Sequence, residues 1–258
     1  MPTLDQHQSS DYTKLIYIGD SSTGKTGSLV SLLADGYKFK ILDMDNGLDS
    51  LVYFAREQCP DKLSNVEFET FRDIYRSTKA GPMVKGQPRA FTDALDCLTR
   101  WSEIDDPNTI FVLDSLSALG RAAFEWAKGM NPTAKDPRQW YGSAQAAIES
   151  ILALLTGAEF KMNVILISHI NYKEAIEGVH KGYVNAIGSA LGPTIPKYFN
   201  TLILAETSGA GKNVRRKIKT MPTGVIDLKC PNAKVDAELP LETGLSTLFK
   251  QLKNKETN

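Results

Sequence analysis

The chain has 258 residues, 42% of them hydrophobic, which is enough to bury a full core and suits one α/β domain better than two small ones. Thirty basic and thirty acidic residues cancel, which excludes a global field drawing the protein onto nucleic acid or membrane, so any such binding needs a local patch. Cys59, Cys97 and Cys230 are odd in number and far apart, which argues against a disulfide framework or a metal site and fits a reducing cytosol. The polar start "MPTLDQHQSSDYT" has no apolar leader core, and no stretch reaches the roughly 18 apolar residues of a membrane span, so the expectation is a soluble cytoplasmic protein without a membrane partner.

In chain order, short apolar runs alternate with helix-period segments. "KLIYI" precedes a helix over 25–34, "FKILD" one over 48–58, "VEFETF" one over 91–101, and "TIFVLD" a further helical region before "NVILIS". Such alternation predicts an α/β fold, a mainly parallel sheet with helices on both faces. Ile148, Ile151, Leu152 and Leu155 recur at helical spacing before Gly157. Ser77 to Ala90 reads as a mobile loop. After "NVILIS" come a polar stretch from Asn171 to Pro193, then "NTLILAET", "NVRRKIKT" and "GVIDLK", read as a C-terminal antiparallel addition. Leu245, Leu248, Phe249 and Leu252 give a final helix one apolar face.

The chemistry starts at Gly19-Asp20-Ser21-Ser22-Thr23-Gly24-Lys25-Thr26, which matches G-x-x-x-x-G-K-[ST] between a strand and a helix. The backbone N–H groups of this loop, through Gly27, can wrap phosphates while Lys25 reaches the β/γ oxygens and Thr26 ligates Mg²⁺. Asp114 ends "TIFVLD", where it can hold the Mg²⁺ shell beside Thr26, although an Asp there also caps helices. In "ILDMDNGLD", Asp45 is placed to orient an attacking water, with Asp43 as substitute; Asp-Asn-Gly is equally turn chemistry. Ser168 and His169 end the "NVILIS" strand, where a polar side chain could sense the γ-phosphate and signal into the loop from Asn171.

From about Tyr12 to Lys229 these residues resemble the ATPase core of the RecA/RadA recombinases, and most of all the short RecA-like ATPases of bacteriophages that anneal single strands. "GDSSTGKT" looks like the RecA-type "GPESSGKT", "ILDMDNGLD" like "FIDAEHALD", and "FVLDSLSAL" like "VVDSVAAL". The resemblance implies a RecA-like ATPase domain over 13–240, between a polar tail at 1–12 and an amphipathic helix at 241–258. It puts Asp45 in the place of the family's catalytic glutamate, one methylene shorter, His169 in the place of its coupling glutamine, and Asp49 to Tyr53 along the adenine.

It also implies two DNA-binding loops. One is "KGMNPTAKDPRQWY", Lys128 to Tyr141, whose Lys135, Arg138, Trp140 and Tyr141 could bind phosphates and stack bases, or could pack back onto the following helix. The other runs from Asn171 to Pro193 and includes Lys173. Alternation in "NVRRKIKT" puts Val214, Arg216 and Ile218 on one face and Arg215, Lys217 and Lys219 on the other. Family filaments reach a neighbour's ATP with a basic pair near here, which suggests Lys217 and Lys219 as trans-acting residues; a lysine-guarded edge strand explains the same pattern.

The implied function is Mg²⁺-dependent, DNA-stimulated ATP hydrolysis coupled to single-stranded DNA binding in phage recombination, annealing or replication, in the host cytoplasm. The implied partners are single-stranded DNA, further copies of the chain in a ring or filament, and a single-strand DNA-binding protein. Only about a dozen residues precede the first strand and no separate domain follows the core, so the family's long filament is not expected to carry over. The alternatives are an ATP-gated DNA-binding or scaffold protein with little hydrolysis, a DnaB-type helicase-like motor, or a P-loop kinase.

Overall fold

The computed structural model describes residues 11–79, 81–231 and 234–253. Its centre is an eight-stranded sheet in the order β12-β11-β10-β1-β7-β6-β2-β3. The strands are β1 (Lys14–Gly19), β2 (Lys38–Asp43), β3 (Val66–Thr70), β6 (Thr109–Asp114), β7 (Asn163–Ser168), β10 (Thr201–Ser208), β11 (Arg215–Lys219) and β12 (Glu238–Pro240). From β10 to β3 every pairing is parallel. β6 and β7 are buried along their whole length, as continuous apolar runs demand when helices cover both faces.

The side-chain period of two sorts these strands into two cores. Ile16 and Ile18 enter one cluster with Phe91, Phe111, Leu152 and Phe160, beneath α4 (Ala90–Ser102), α5 (Leu116–Met130) and α6 (Arg138–Thr156). Leu15 and Tyr17 enter the other with Leu32, Phe39, Leu245 and Phe249, beneath α1 (Lys25–Ser28), α2 (Val30–Ala34), α3 (Asp49–Gln58) and α7 (Leu241–Lys253). Each fully buried side chain of this size contributes about 1.5–3 kcal/mol. Among the described residues no helix is long and apolar enough to cross a membrane.

Several expectations need correction. The helix expected over 25–34 is divided at Leu29 into α1 and α2. Residues 77–90 are no open loop: β4 (Tyr75–Thr78) and β5 (Gly81–Val84) form an antiparallel hairpin, with Gly81 at φ 108 supplying the left-handed residue a tight reversal needs. The stretch after β7 also folds as a hairpin, β8 (Ile170–Ile176) with β9 (Val179–Val184), a two-stranded sheet separate from the main one among the described residues. β10 is parallel to β1, because the long crossover from β7 returns the chain in the same direction; antiparallel pairing begins at β11. "GVIDLK" makes only one isolated bridge, Leu202 with Lys229, and β12 is the outer strand.

This topology brings the carboxyl ends of β1, β2, β6 and β7 side by side. A crevice outside strand ends, where neighbouring connections diverge, is where open α/β sheets take ligands.

Candidate nucleotide-binding site

Leaving β1, the chain turns through Ser22 at φ 64 and Gly24 at φ 91, a mixture of left- and right-handed residues that rotates successive N–H groups toward a common centre. Glycine is required at both ends of the turn. A Cβ at Gly24 would sit 2.6 Å from Leu241 Cδ2, and one at Gly19 would sit 2.7 Å from Ala205 O. Lys25 folds back over the loop and donates from Nζ to Gly19 O and Asp20 O, both at 2.8 Å. Burial pushes its ammonium below the usual lysine range, against the pull of Asp114, Asp20 and Asp45.

Thr26 Oγ1 donates to Asp114 Oδ2 at 2.6 Å, joining the loop to the end of β6. Asp114 is buried, and loss of hydration, aided by the charges of Asp45 and Asp43 and opposed by Thr26 and Lys25, lifts its carboxyl to about 6. Helix capping falls instead to Ser115, whose Oγ accepts from Ala118 N at 3.4 Å. A hydroxyl and a carboxylate are hard oxygen donors of the kind Mg²⁺ takes. Among the described residues no group of three or more His, Cys, Asp or Glu could hold a metal alone, so a cation here fits as one shared with bound phosphate.

Asp43 and Asp45 part company. Asp43 is buried and its carboxylate accepts from Gly47 N at 3.2 Å and Thr70 Oγ1 at 2.9 Å, bracing the turn after β2. Asp45 is exposed and faces the crevice. His169 is half-buried, with Nδ1 3.2 Å from Ser117 Oγ and its backbone N donating to the same oxygen at 3.1 Å. Burial and the Lys25 charge hold its imidazole below the usual histidine range, which favours the neutral form. Ser168 is buried and donates to Asn185 O at 2.6 Å.

One open cavity of about 530 Å³ gathers Ser21, Ser22, Gly24, Lys25, Thr26, Asp45, Asp114 and His169. Asp49, Ser50, Phe54 and Arg216 line it too. A family profile described as an AAA domain matches residues 11–229. The chain belongs to the AAA-domain family. A search of curated proteins returns no match.

Solved structures similar to this AAA domain include a RadB recombinase, at 18% identity and TM-score 0.45, over 80% of this chain and 79% of that one. A flagellar accessory protein FlaH from Methanocaldococcus jannaschii follows at 14% and 0.44, over 80% and 76%. A KaiC-like protein from Pyrococcus horikoshii stands at 11% and 0.39, over 80% and 77%. At such scores none of them bears on activity.

The remaining residues expected to carry function lie elsewhere in the AAA domain. Trp140 donates from Nε1 to Asn131 O at 2.8 Å and packs edge-on to Phe124, and Tyr141 lies over the same ring at 4.5 Å between centroids. Both aromatics therefore brace α6 against α5, although Tyr141 stays 38% exposed. Arg138 is held by Asp136, Lys135 is exposed, and Lys173 donates to Ser189 O at 2.5 Å. Lys217 is bound to Glu206 and Glu238, and Lys219 to Glu206 at 3.0 Å, so both are neutralised within their own sheet. On the opposite face of β11 it is Arg216 that reaches the loop, its Cδ 3.5 Å from where a Gly24 Cβ would stand. The residues missed by sequence reasoning are thus Arg216 and Phe54; Tyr53 is 57% exposed and does not line the cavity.

Proposed function

We propose that this AAA-domain protein binds ATP with Mg²⁺, hydrolyses it, and uses the nucleotide state to control binding of single-stranded DNA in recombination, annealing or replication. The observation that supports the nucleotide half is the single cavity holding Lys25, Thr26, Asp45, Asp114 and His169. Lys25 would exchange its two loop carbonyls for phosphate oxygens, which favour its charged form more strongly. Thr26 and Asp114 would hold Mg²⁺, which when bound neutralises phosphate charge. Asp45 would orient the attacking water and accept its proton.

His169 is suited to relay the outcome. Its ring and backbone both rest on Ser117 Oγ, which is also 3.2 Å from Asn185 O, and Asn185 N donates to His169 O at 2.9 Å. Asn185 directly follows β9, so movement of His169 would reach the β8–β9 hairpin. Tyr172 of that hairpin also donates to Asp20 Oδ2 of the phosphate loop at 3.3 Å. The DNA half rests on the resemblance to phage RecA-like recombinases, which also supports self-association into a ring or filament.

The test is ATP turnover with and without single-stranded oligonucleotide, run beside Lys25→Ala. Turnover that DNA accelerates and Lys25→Ala abolishes is the expected result. Turnover unchanged in Lys25→Ala would overturn the ATPase reading. A second reading, an ATP-gated scaffold with little hydrolysis, is favoured by the short reach of Asp45; binding of ATP without turnover would select it.

A further inference from the structure

Among the described residues, the strands of the β4–β5 hairpin pair with each other and with no strand of the main sheet. Residues 71–89 carry five cations, Arg72, Arg76, Lys79, Lys85 and Arg89, against one acid, Asp73, in a chain whose net charge is zero. All five cations are exposed. Among the described residues only Arg89 of the five makes an ion pair, with Asp93 at 3.3 Å. Asp73 neutralises none of them through its side chain: it accepts from Arg89 N at 2.7 Å and Ala90 N at 3.1 Å, capping the start of α4. The segment is therefore a local positive patch, four of its five cations without an ion pair among the described residues.

Charge alone describes any solvated surface, but here it is interleaved with exposed apolar side chains. Ile74, Tyr75 and Met83 are 69%, 48% and 53% exposed. The register sets Arg76 opposite Met83, and Lys85 N donates to Ile74 O at 2.7 Å, so Ile74, Arg76, Met83 and Lys85 share one face. On that face the cations stand beside open apolar groups, and Tyr75, opposite Val84, presents its ring on the other face; together they complement a chain that is anionic along its backbone and flat and apolar at its unstacked bases. At the base of the hairpin lies a cavity of about 210 Å³, with Arg72, Tyr75 and Arg121 among its lining and Asp45 on its wall. Asp45 also lines the nucleotide cavity, so the two spaces share that residue.

We infer that the β4–β5 hairpin is the surface that binds single-stranded DNA, and that a strand seated on it is felt at the nucleotide through the wall formed by Asp45. This rests on the DNA half of the proposed function and places the contact away from residues 128–141, where Trp140 is tied to Asn131 O and Arg138 is paired with Asp136.

The test uses the full chain and a fluorescent oligothymidine of about 20 nucleotides, longer than common single-strand sites. Anisotropy is read over a salt series for the parent protein, Arg76→Ala/Lys85→Ala and Tyr75→Ala, with Lys135→Ala/Arg138→Ala as comparison, each checked for an unchanged melting temperature. Loss of two phosphate contacts lowers the slope of log affinity against log salt by about 1.4 and weakens binding on the order of 20-fold near 0.1 M salt. Basal turnover without DNA stays at the parent value while its stimulation by DNA falls in parallel.

Parental binding by Arg76→Ala/Lys85→Ala, with the loss appearing in Lys135→Ala/Arg138→Ala, overturns the inference and leaves the proposed function standing. Absence of oligothymidine binding by the parent protein overturns both. Equal affinity for polyglutamate also overturns the inference, because the patch then recognises acidic polypeptide and not nucleic acid.

Discussion

Thr26 Oγ1 lies 2.6 Å from Asp114 Oδ2, a hydrogen bond between residues 88 apart in sequence that ties the phosphate loop to the end of β6. Each group is thereby held where the proposed cation would sit. The carboxylate is kept ready at a cost in hydration, and that cost sets a pH window. Asp114 titrates at about 6 in the fold against an ordinary 3.8, so the folded state binds the extra proton between those values. The stability it contributes is fully present below about 4 and is lost as pH rises through about 6, by up to about 3 kcal/mol. Asp114→Asn should flatten that part of a stability-against-pH curve measured by urea denaturation. In the parent protein, affinity for Mg²⁺ with nucleotide should fall about tenfold per pH unit below 6, as a proton competes with the metal. Calorimetry in two buffers checks this through the proton released on binding.

Asp45 is the second prediction. It is exposed, makes no bond to the phosphate loop among the described residues, and lines the same cavity as Lys25. Its loss therefore should leave nucleotide binding intact. Asp45→Asn is expected to lower turnover by about 10²–10⁴-fold, the usual worth of a general base, while a fluorescent ATP analogue binds as before. Equal losses in binding and turnover would show that Asp45 holds nucleotide and does not act on water.

The C-terminal helix gives a stability prediction. Leu248 on α7 is fully buried in the cluster that also holds Leu29, Leu32 and Leu33 behind the phosphate loop. Leu248→Ala should cost about 2–5 kcal/mol, from lost burial and the void left behind. Denaturant melts measure it directly. Saturating Mg²⁺ and ATP should recover part of the loss, because a ligand that binds only the folded state adds stability by mass action.

Which features were legible in the sequence follows from how local each one is. The glycine spacing around Lys25 and the strand-end position of Asp114 are set within a few residues, and both stand where the sequence put them. The helix faces of α6 and α7 were readable for the same reason. The direction taken by Trp140 and Tyr141 depends on Phe124 of another helix, and no periodicity within 128–141 encodes that neighbour. Pro82, Gly81 and Gly86 concealed the β4–β5 hairpin, since the same residues punctuate open loops and tight turns. For Lys217 and Lys219 the deciding partners, Glu206 and Glu238, come from two other strands.

Arg216 and Lys217 are neighbours in sequence with opposite surroundings, and that contrast supports the last prediction. Arg216 lines the nucleotide cavity beside Gly24, on the same face of β11 as buried Ile218. Lys217 points the other way and is bound to Glu238 at 2.6 Å and Glu206 at 3.6 Å. A guanidinium beside the phosphate loop can form charge-assisted hydrogen bonds to phosphate worth about 1.5–3 kcal/mol. Arg216→Ala should then reduce kcat/KM for ATP by about 10–100-fold. Lys217→Ala opens a solvent-exposed ion pair that contributes little, so both turnover and melting temperature should stay near the parent values. Mixing inactive Lys25→Ala protein with Arg216→Ala protein separates two modes of action. Recovered turnover in the mixture means that Arg216 serves a neighbouring copy's site. Without recovery, it serves its own.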